Sequence, residues 1–203
     1  MVIFDFIKGS SVNVPIIMHP VPQIIRLIWG LYISDNFPSI RAPKGPIPTR
    51  VVFIPITLGG GIIILKDIEN ALNSGSDKVA INSKALENPD FLSEAVESFG
   101  ESTILVNIEA KKIAESRWEP YKFCGREKTN LNLIDWINTI QDKGCGEILL
   151  TSIDKEGTET GFDIDLINNV HEIIKKPLIV SGGCGNLNHI QQVKKKFKNV
   201  SVA

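Results

Sequence analysis

The sequence predicts an α/β protein built as a (β/α)8 barrel, and three observations predict it. Short apolar runs alternate with amphipathic helical segments through the C-terminal three quarters of the 203 residues. Two strand-turn-helix units recur half a chain apart. Polar and charged residues gather where the apolar runs end, as expected of parallel strands buried on both faces with chemistry at their C-terminal ends.

The first unit is "IPITLGGGIIILKDI", residues 54–68. An apolar run enters from a proline, meets a glycine turn and passes into an i, i+3 apolar pattern. "KPLIVSGGCGNLNHI", residues 176–190, repeats it. Setting Pro55 on Pro177 places Gly60 and Gly61 on Gly182 and Gly183, Leu65 on Leu187 and Ile68 on Ile190. "KVAIN" (78–82) follows the first unit much as "NVSVA" (199–203) follows the second, so the likeness spans two successive strands. That is the mark of two similar halves.

Between the repeats, "NPDFLSEAVESFG" predicts a helix with Asn88 as cap, Pro89 in the first turn and Gly100 as stop. Its inward face is Phe91, Leu92, Ala95, Val96 and Phe99. "TILVNIEAKK" (103–112) and "GEILLTSIDKEGT" (146–158) predict buried strands. "LNLIDWINTIQDKG" predicts a helix with Leu133, Trp136, Ile137 and Ile140 inward, and "DLINNVHEIIKKP" one with Leu166, Val170 and Ile173 inward. In the last unit Asn186 is the expected N-cap. Residues 11–50 carry seven prolines and predict irregular chain with one helix around Gln23–Leu31.

Composition narrows the function classes. At 43% hydrophobic and 22% charged residues the chain can bury one sizeable core. With 22 Lys and Arg against 23 Asp and Glu there is no basic field to favour nucleic acid or an anionic membrane. The basic run Lys194–Lys196 with Lys198 reads as a solvated helix face. Cys124, Cys145 and Cys184 are odd in number and widely spaced, which points to neither a disulfide framework nor a metal site and fits a reducing cytosol. The apolar windows are interrupted by Arg26 or by glycines and are too short to span a bilayer, so the expectation is a cytoplasmic protein.

The glycine turns have two readings, a structural need for positive φ and an anion cradle at a helix N-terminus. If the half-barrel repeat holds, the turns face each other across the mouth and suit a substrate with phosphate at both ends. Asn82 and Ser83 can add donors to the first cradle. Glu109, Asp154 and Glu156 are strand-end carboxylates suited to general acid–base work, although Asp154 and Glu156 also fit an ordinary loop turn with Gly157. Lys111 and Lys112 would keep Glu109 ionised or make exposed ion pairs. His19, His171 and His189 read as surface residues, and Cys184 as a small filler.

"FIPITLGGGI", "DKVAINSKALENP", "GREKT", "GEILLTSIDKEGTETGFDIDLI" and "SGGCGNLNHI" closely resemble the cyclase subunit of imidazole glycerol phosphate synthase, from about Phe53 to the C-terminus. The resemblance implies a (β/α)8 barrel of histidine biosynthesis. Ammonia from a glutaminase partner attacks a bisphosphorylated formimino carboxamide ribotide and releases imidazole glycerol phosphate and aminoimidazole carboxamide ribotide. It implies that Gly60, Gly61, Asn82 and Ser83 hold one phosphate, and that Gly157, Thr158, Ser181, Gly182 and Gly183 help hold the other. Thr57 and Thr151 would point into the site from their strand ends, with Glu109 as the leading acid–base residue and Asp154 and Glu156 beside it. Lys78 and Glu147 match an ammonia gate, and Asp77 an acid that contacts the glutaminase. Without the resemblance these three read as ordinary exposed charge. No cofactor or metal is implied.

Two departures follow from the same comparison. The family's second catalytic aspartate is Glu109 here, one methylene longer, and its first-strand aspartate has no match in residues 1–52. "VIFDF" (2–6) resembles a remnant of the family's second strand with Asp5 at its end. The expected layout is therefore a divergent segment 1–51 followed by a partial barrel, 52–203, short of one strand at the front and of most of the last unit. Three alternatives stand beside the cyclase reading. They are a paralogue that amidinates a surface-polysaccharide sugar, the sister isomerase that needs no ammonia gate, and a catalytically dead fragment.

Overall fold

The computed structural model describes residues 2–5 and 55–203; the helix expected around Gln23–Leu31 and the proline-rich stretch lie outside them. In chain order the strands are β1 (Val2–Asp5), β2 (Ile56–Gly59), β3 (Lys78–Ile81), β4 (Ile104–Ala114), β5 (Arg117–Lys122), β6 (Glu127–Lys128), β7 (Glu147–Ser152), β8 (Leu178–Ser181) and β9 (Val200–Val202). Seven of them form one parallel series, β1-β2-β3-β4-β7-β8-β9, each beside the next in sequence. β5 turns back antiparallel on β4 and β6 on β5, so the pair is a hairpin inserted into an otherwise regular alternation.

Among the described residues, helices fill the parallel crossovers from β2 onward. They are α1 (Leu65–Asn73), α2 (Ser83–Glu87), α3 (Asp90–Phe99), α4 (Leu133–Asp142), α5 (Ile164–Val170) and α6 (Leu187–Lys196). A curled parallel sheet with a helix between successive strands is an incomplete (β/α)8 barrel.

Alternation along the strands splits the core in two. Val79, Ile81, Val106, Ile108, Ile148, Leu150 and Val180 face the helices and pack with Ile68, Leu92, Trp136, Ile137 and Leu166. Ala80, Leu105, Leu149 and Ile179 form a separate buried cluster on the opposite face. Each β-run is therefore apolar on both sides, which is why it lacks a visible period of two. Cys145 is fully buried at the foot of β7, and that burial pushes its thiol up to about 11, so it behaves as a small apolar residue.

Capping follows the sequence closely. Asn186 Oδ1 accepts from the N–H groups of Asn188 (2.9 Å) and His189 (3.4 Å), and Asn132 Oδ1 from those of Ile134 (2.8 Å) and Asp135 (3.4 Å). Asn132→Ala should cost about 1 kcal/mol in a urea melt, with an unchanged dependence on urea, because two orphan donors lose their acceptor. Before α3, Asn88 Oδ1 accepts from Asp90 N–H (3.2 Å) as a cap does, but Pro89 already has helical backbone and occupies the cap position itself. Gly100 ends α3 at φ +85°.

Two side chains expected to point inward do not pack as expected. Leu187 is 74% exposed: it opens α6, and the packing stripe begins one turn later with half-buried Ile190 and buried Val193. Ile173 falls after α5 ends and is half-buried, while Ile174 takes the core position.

Candidate active site

Residues that alternate with the helix-facing set line the interior. From the N-terminal to the C-terminal ends of the strands they read Lys78, Ala80 and Asn82 on β3 and its exit; Leu105, Asn107 and Glu109 on β4; Glu147, Leu149 and Thr151 on β7; Ile179 and Ser181 on β8. A charged end, an apolar middle and a polar mouth result.

At the charged end Lys78 Nζ and Glu147 Oε1 form an ion pair across the foot of β4, both about one quarter exposed. The pair is thus inside the interior rather than on the outer surface. Asp77 is exposed and clamps the foot of β2: its Oδ2 accepts from Ile56 N–H (2.8 Å) and its own N–H donates to Ile56 C=O (2.8 Å). Thr57 is fully buried and level with Lys78, nearer this end than the mouth position expected of it, and its Oγ1 has no hydrogen-bond partner among the described residues.

At the mouth, Glu109, Thr151 and Ser181 lie in register across three neighbouring strands. Glu109 Oε2 accepts from Asn82 Nδ2 (3.0 Å) and from Gly125 N–H (2.9 Å). Gly125 comes from the tip of the β5–β6 hairpin, which reaches back over the mouth. Phe123, Cys124 and Gly125 stand at φ +52°, +56° and +72°, three successive left-handed residues. Such backbone persists only when it is held. Phe123 N–H donates to Ser83 Oγ (2.9 Å), and Asn82 Nδ2 donates a second bond to Tyr121 C=O (3.2 Å). The side chains expected as phosphate donors after β3 therefore also anchor the hairpin, and Asn82 Oδ1 remains buried without a partner.

The other expected acids sit differently. Asp154 is exposed, and its Oδ2 accepts from Lys112 N–H (2.7 Å), tying the loop after β7 to the extension of β4. Lys111 and Lys112 lie over Tyr121 (5.6 Å) and Trp118 (5.3 Å). Glu156 brings Oε2 to 3.4 Å from where a Cβ on Gly182 would stand, so a carboxylate borders the second glycine turn.

That turn is built for close approach. Gly182 (φ +95°) and Gly183 (φ +93°) lie against the loop after β7, with Gly161 N–H donating to Gly183 C=O at 2.7 Å. A Cβ on Gly183 would stand 2.2 Å from Gly161 O, and one on Gly182 2.8 Å from Ser152 O. The structural need for glycine is therefore real, and it does not exclude the chemical one. The N–H groups of Gly182, Gly183 and Cys184 make no hydrogen bond among the described residues, which leaves three successive donors for an anion. Thr158 Oγ1 bonds Lys155 C=O (2.8 Å) and Thr160 Oγ1 (2.9 Å), and Gly157 (φ +70°) turns the same exposed loop. At the first turn Gly60 and Gly61 have φ +90° and +71°. There Asp67 Oδ2 accepts from Ile63 N–H (3.0 Å) and Ile64 N–H (3.1 Å), so an anion would meet the glycines rather than the helix N-terminus.

Sequence reasoning passed over Asn107 and the hairpin. Asn107 Oδ1 lies 3.5 Å from Thr151 Oγ1, and the period of two in Leu105, Asn107 and Glu109 is the signal that finds it. No group of three or more His, Cys, Asp or Glu among the described residues could hold a metal ion. No helix among them is long and apolar enough to cross a membrane.

Known proteins can be set beside this geometry. A family described as histidine biosynthesis protein matches residues 48–203. Imidazole glycerol phosphate synthase subunit HisF of Bacillus cereus strain AH187 is 46% identical over 145 residues, which cover 71% of this chain and 58% of that protein. The subunit of the same name from Streptococcus mutans strain UA159 is 43% identical over the same shares. The chain thus spans less than two thirds of the length of the relatives it matches.

Proposed function

This chain belongs to the histidine biosynthesis protein family, and we propose that it is of the cyclase type: it takes ammonia from a glutaminase and a bisphosphorylated formimino carboxamide ribotide, and forms imidazole glycerol phosphate and aminoimidazole carboxamide ribotide. The observation that carries the reading is the order of the interior, an ion pair of Lys78 and Glu147, then Ala80, Leu105, Leu149 and Ile179, then Glu109 at the mouth. An apolar layer between a charged foot and a polar mouth is easier for neutral ammonia to cross than for an ion. Such an order suits a reaction in which ammonia made at the foot is consumed at the mouth.

In this reading the glycine turns at Gly60–Gly61 and Gly182–Gly183 hold the two phosphates. Ser83 keeps its hydroxyl proton to donate, because its oxygen is the acceptor for Phe123 N–H. Glu109 moves protons at the reacting nitrogen, oriented by Asn82 and Gly125. Thr151, Ser181 and Asn107 line the floor; Thr158 and Gly157 close the loop beside the second phosphate; Asp154 and Glu156 shape that loop. Asp77, at the opposite face, would meet the glutaminase.

The test is turnover of the ribotide by the 203-residue chain with an ammonium salt, alongside calorimetric binding of the same ribotide. The expected result is binding with turnover far below that of an intact relative, because the family's first-strand aspartate has no match in residues 1–52. Failure to bind the ribotide would overturn the functional reading. Turnover equal to an intact relative would show that another carboxylate replaces the missing one, and Asp5, at the C-terminal end of β1 in register with Gly59, is where to look.

A further inference from the structure

We propose that the opposite, N-terminal face of the sheet carries a second ligand site: a cleft between the α5–β8 and α6–β9 turns that binds a small aromatic phosphate, of the nucleoside monophosphate class. The cleft is an open groove of about 430 Å³, large enough for a ligand of that size. Its floor is apolar, with Ile174, Leu178, Phe197 and Val200 each 4–8% exposed. Its rim is cationic, with Lys175, Lys176, Lys196 and Lys198. A chain with net charge −1 places four lysines around one opening.

The walls are fixed before any ligand arrives. Gln141 grips the α5–β8 turn from both sides, its Oε1 accepting from Lys175 N–H (2.7 Å) and its Nε2 donating to Ile173 C=O (3.4 Å). Lys194 Nζ donates to Val200 C=O (2.8 Å) and holds the other turn. Inside, the rings of His171 and Phe197 meet edge to face with centroids 4.9 Å apart. His171, about one third exposed, offers a planar group an aromatic face, and Phe197 is packed behind it.

Lys176 is paired with Glu101 (2.5 Å), and His171 lies 3.9 Å from the exposed Glu172. Among the described residues Lys175, Lys196 and Lys198 have no carboxylate partner, and Lys196 Nζ instead lies 5.4 Å from the Phe197 ring centroid. Lysines in the last turn of α6 are accounted for by the partial negative charge of a helix C-terminus. Lys198 follows the C-cap of α6 and shares that account, but Lys175 lies well past the end of α5, where it does not reach. An apolar floor with an aromatic wall and unpaired ammonium groups at the rim matches a ligand that is planar at one end and anionic at the other. Inorganic phosphate alone would leave the floor unused.

The experiment is a titration of the 203-residue chain with AMP, followed by 1H–15N NMR and calorimetry, beside adenosine and inorganic phosphate. AMP should perturb the amides of Lys175, Phe197 and Lys198, bind more tightly than either fragment, and weaken as salt rises. Lys175→Gln with Lys198→Gln should weaken AMP roughly tenfold, since two exposed charge contacts are lost. Both lysines are exposed, so a melting curve like that of the parent chain will show that the fold is intact. Shifts confined to the glycine turns at the other end of the sheet would overturn the proposal, as would AMP binding no better than phosphate or unchanged in the double variant. An acidic peptide that perturbs the cleft where AMP does not would also overturn it and make the surface a protein-docking one. None of these outcomes depends on cyclase turnover.

Discussion

Glu109→Gln is expected to lower ammonia-dependent turnover by roughly 10²–10⁴-fold, the contribution of a positioned acid or base, while ribotide affinity changes little. Glutamine has the same length and can still accept from Asn82 Nδ2 and Gly125 N–H, so the variant removes the ionisable group and leaves the hairpin anchored. Rates over a range of ribotide concentrations separate the two effects, and a fall in affinity without a fall in maximal rate would remove Glu109 from the chemistry. Glu109→Asp asks a sharper question. The shorter chain cannot reach both donors at 2.9–3.0 Å without movement of the hairpin tip, so turnover should fall here as well. A rise would mean that the extra methylene is itself the defect.

The second large effect is expected at Gly183. Alanine there would set Cβ 2.2 Å from Gly161 O and 3.1 Å from Lys155 Cβ, with the backbone at φ +93°. Left-handed strain costs about 1–3 kcal/mol, and the clash forces apart the Gly161–Gly183 hydrogen bond that joins the loops after β7 and β8. Ribotide binding should fall more than tenfold and the melting temperature should drop by several degrees. Gly75→Ala is the control, because Gly75 is also left-handed (φ +98°) but has nothing within 4 Å of the added Cβ. Its cost should be that of the backbone alone, about 1 kcal/mol, with binding unaffected. Equal losses in the two variants would show that conformation, not the contact with Gly161, requires glycine at Gly183.

The regular part of this architecture was legible because its elements are specified locally. "GEILLTS" is apolar, β-branched and bounded by glycine and charge, and it becomes β7 (Glu147–Ser152). Leu133, Trp136, Ile137 and Ile140 recur at helical spacing, and all four are buried on α4. The hairpin was not legible for the opposite reason. Trp118, Glu119 and Pro120 are consecutive and all buried, so β5 shows neither a helical nor an alternating period. Its pairing with β4 and the bond from Gly125 to Glu109 are long-range facts. Strand-end acids could be named from the sequence, but only the hydrogen bonds distinguish Glu109, held inside the mouth, from Asp154, bound to the Lys112 backbone.

Among the described strands β1 is one end of the parallel series and pairs through four residues with β2, whereas β4 is flanked by β3, β5 and β7. Strength of attachment is therefore graded across the sheet. Among the described strands, amide exchange should be fast at both ends of the series, Val2–Asp5 and Val200–Val202, and slowest at the centre, since opening an end strand breaks one ladder and opening β4 breaks three. Asp5 shares that gradient. A ligand bound at that end of the sheet would be read as slowed exchange along β1 before it was read as a rate.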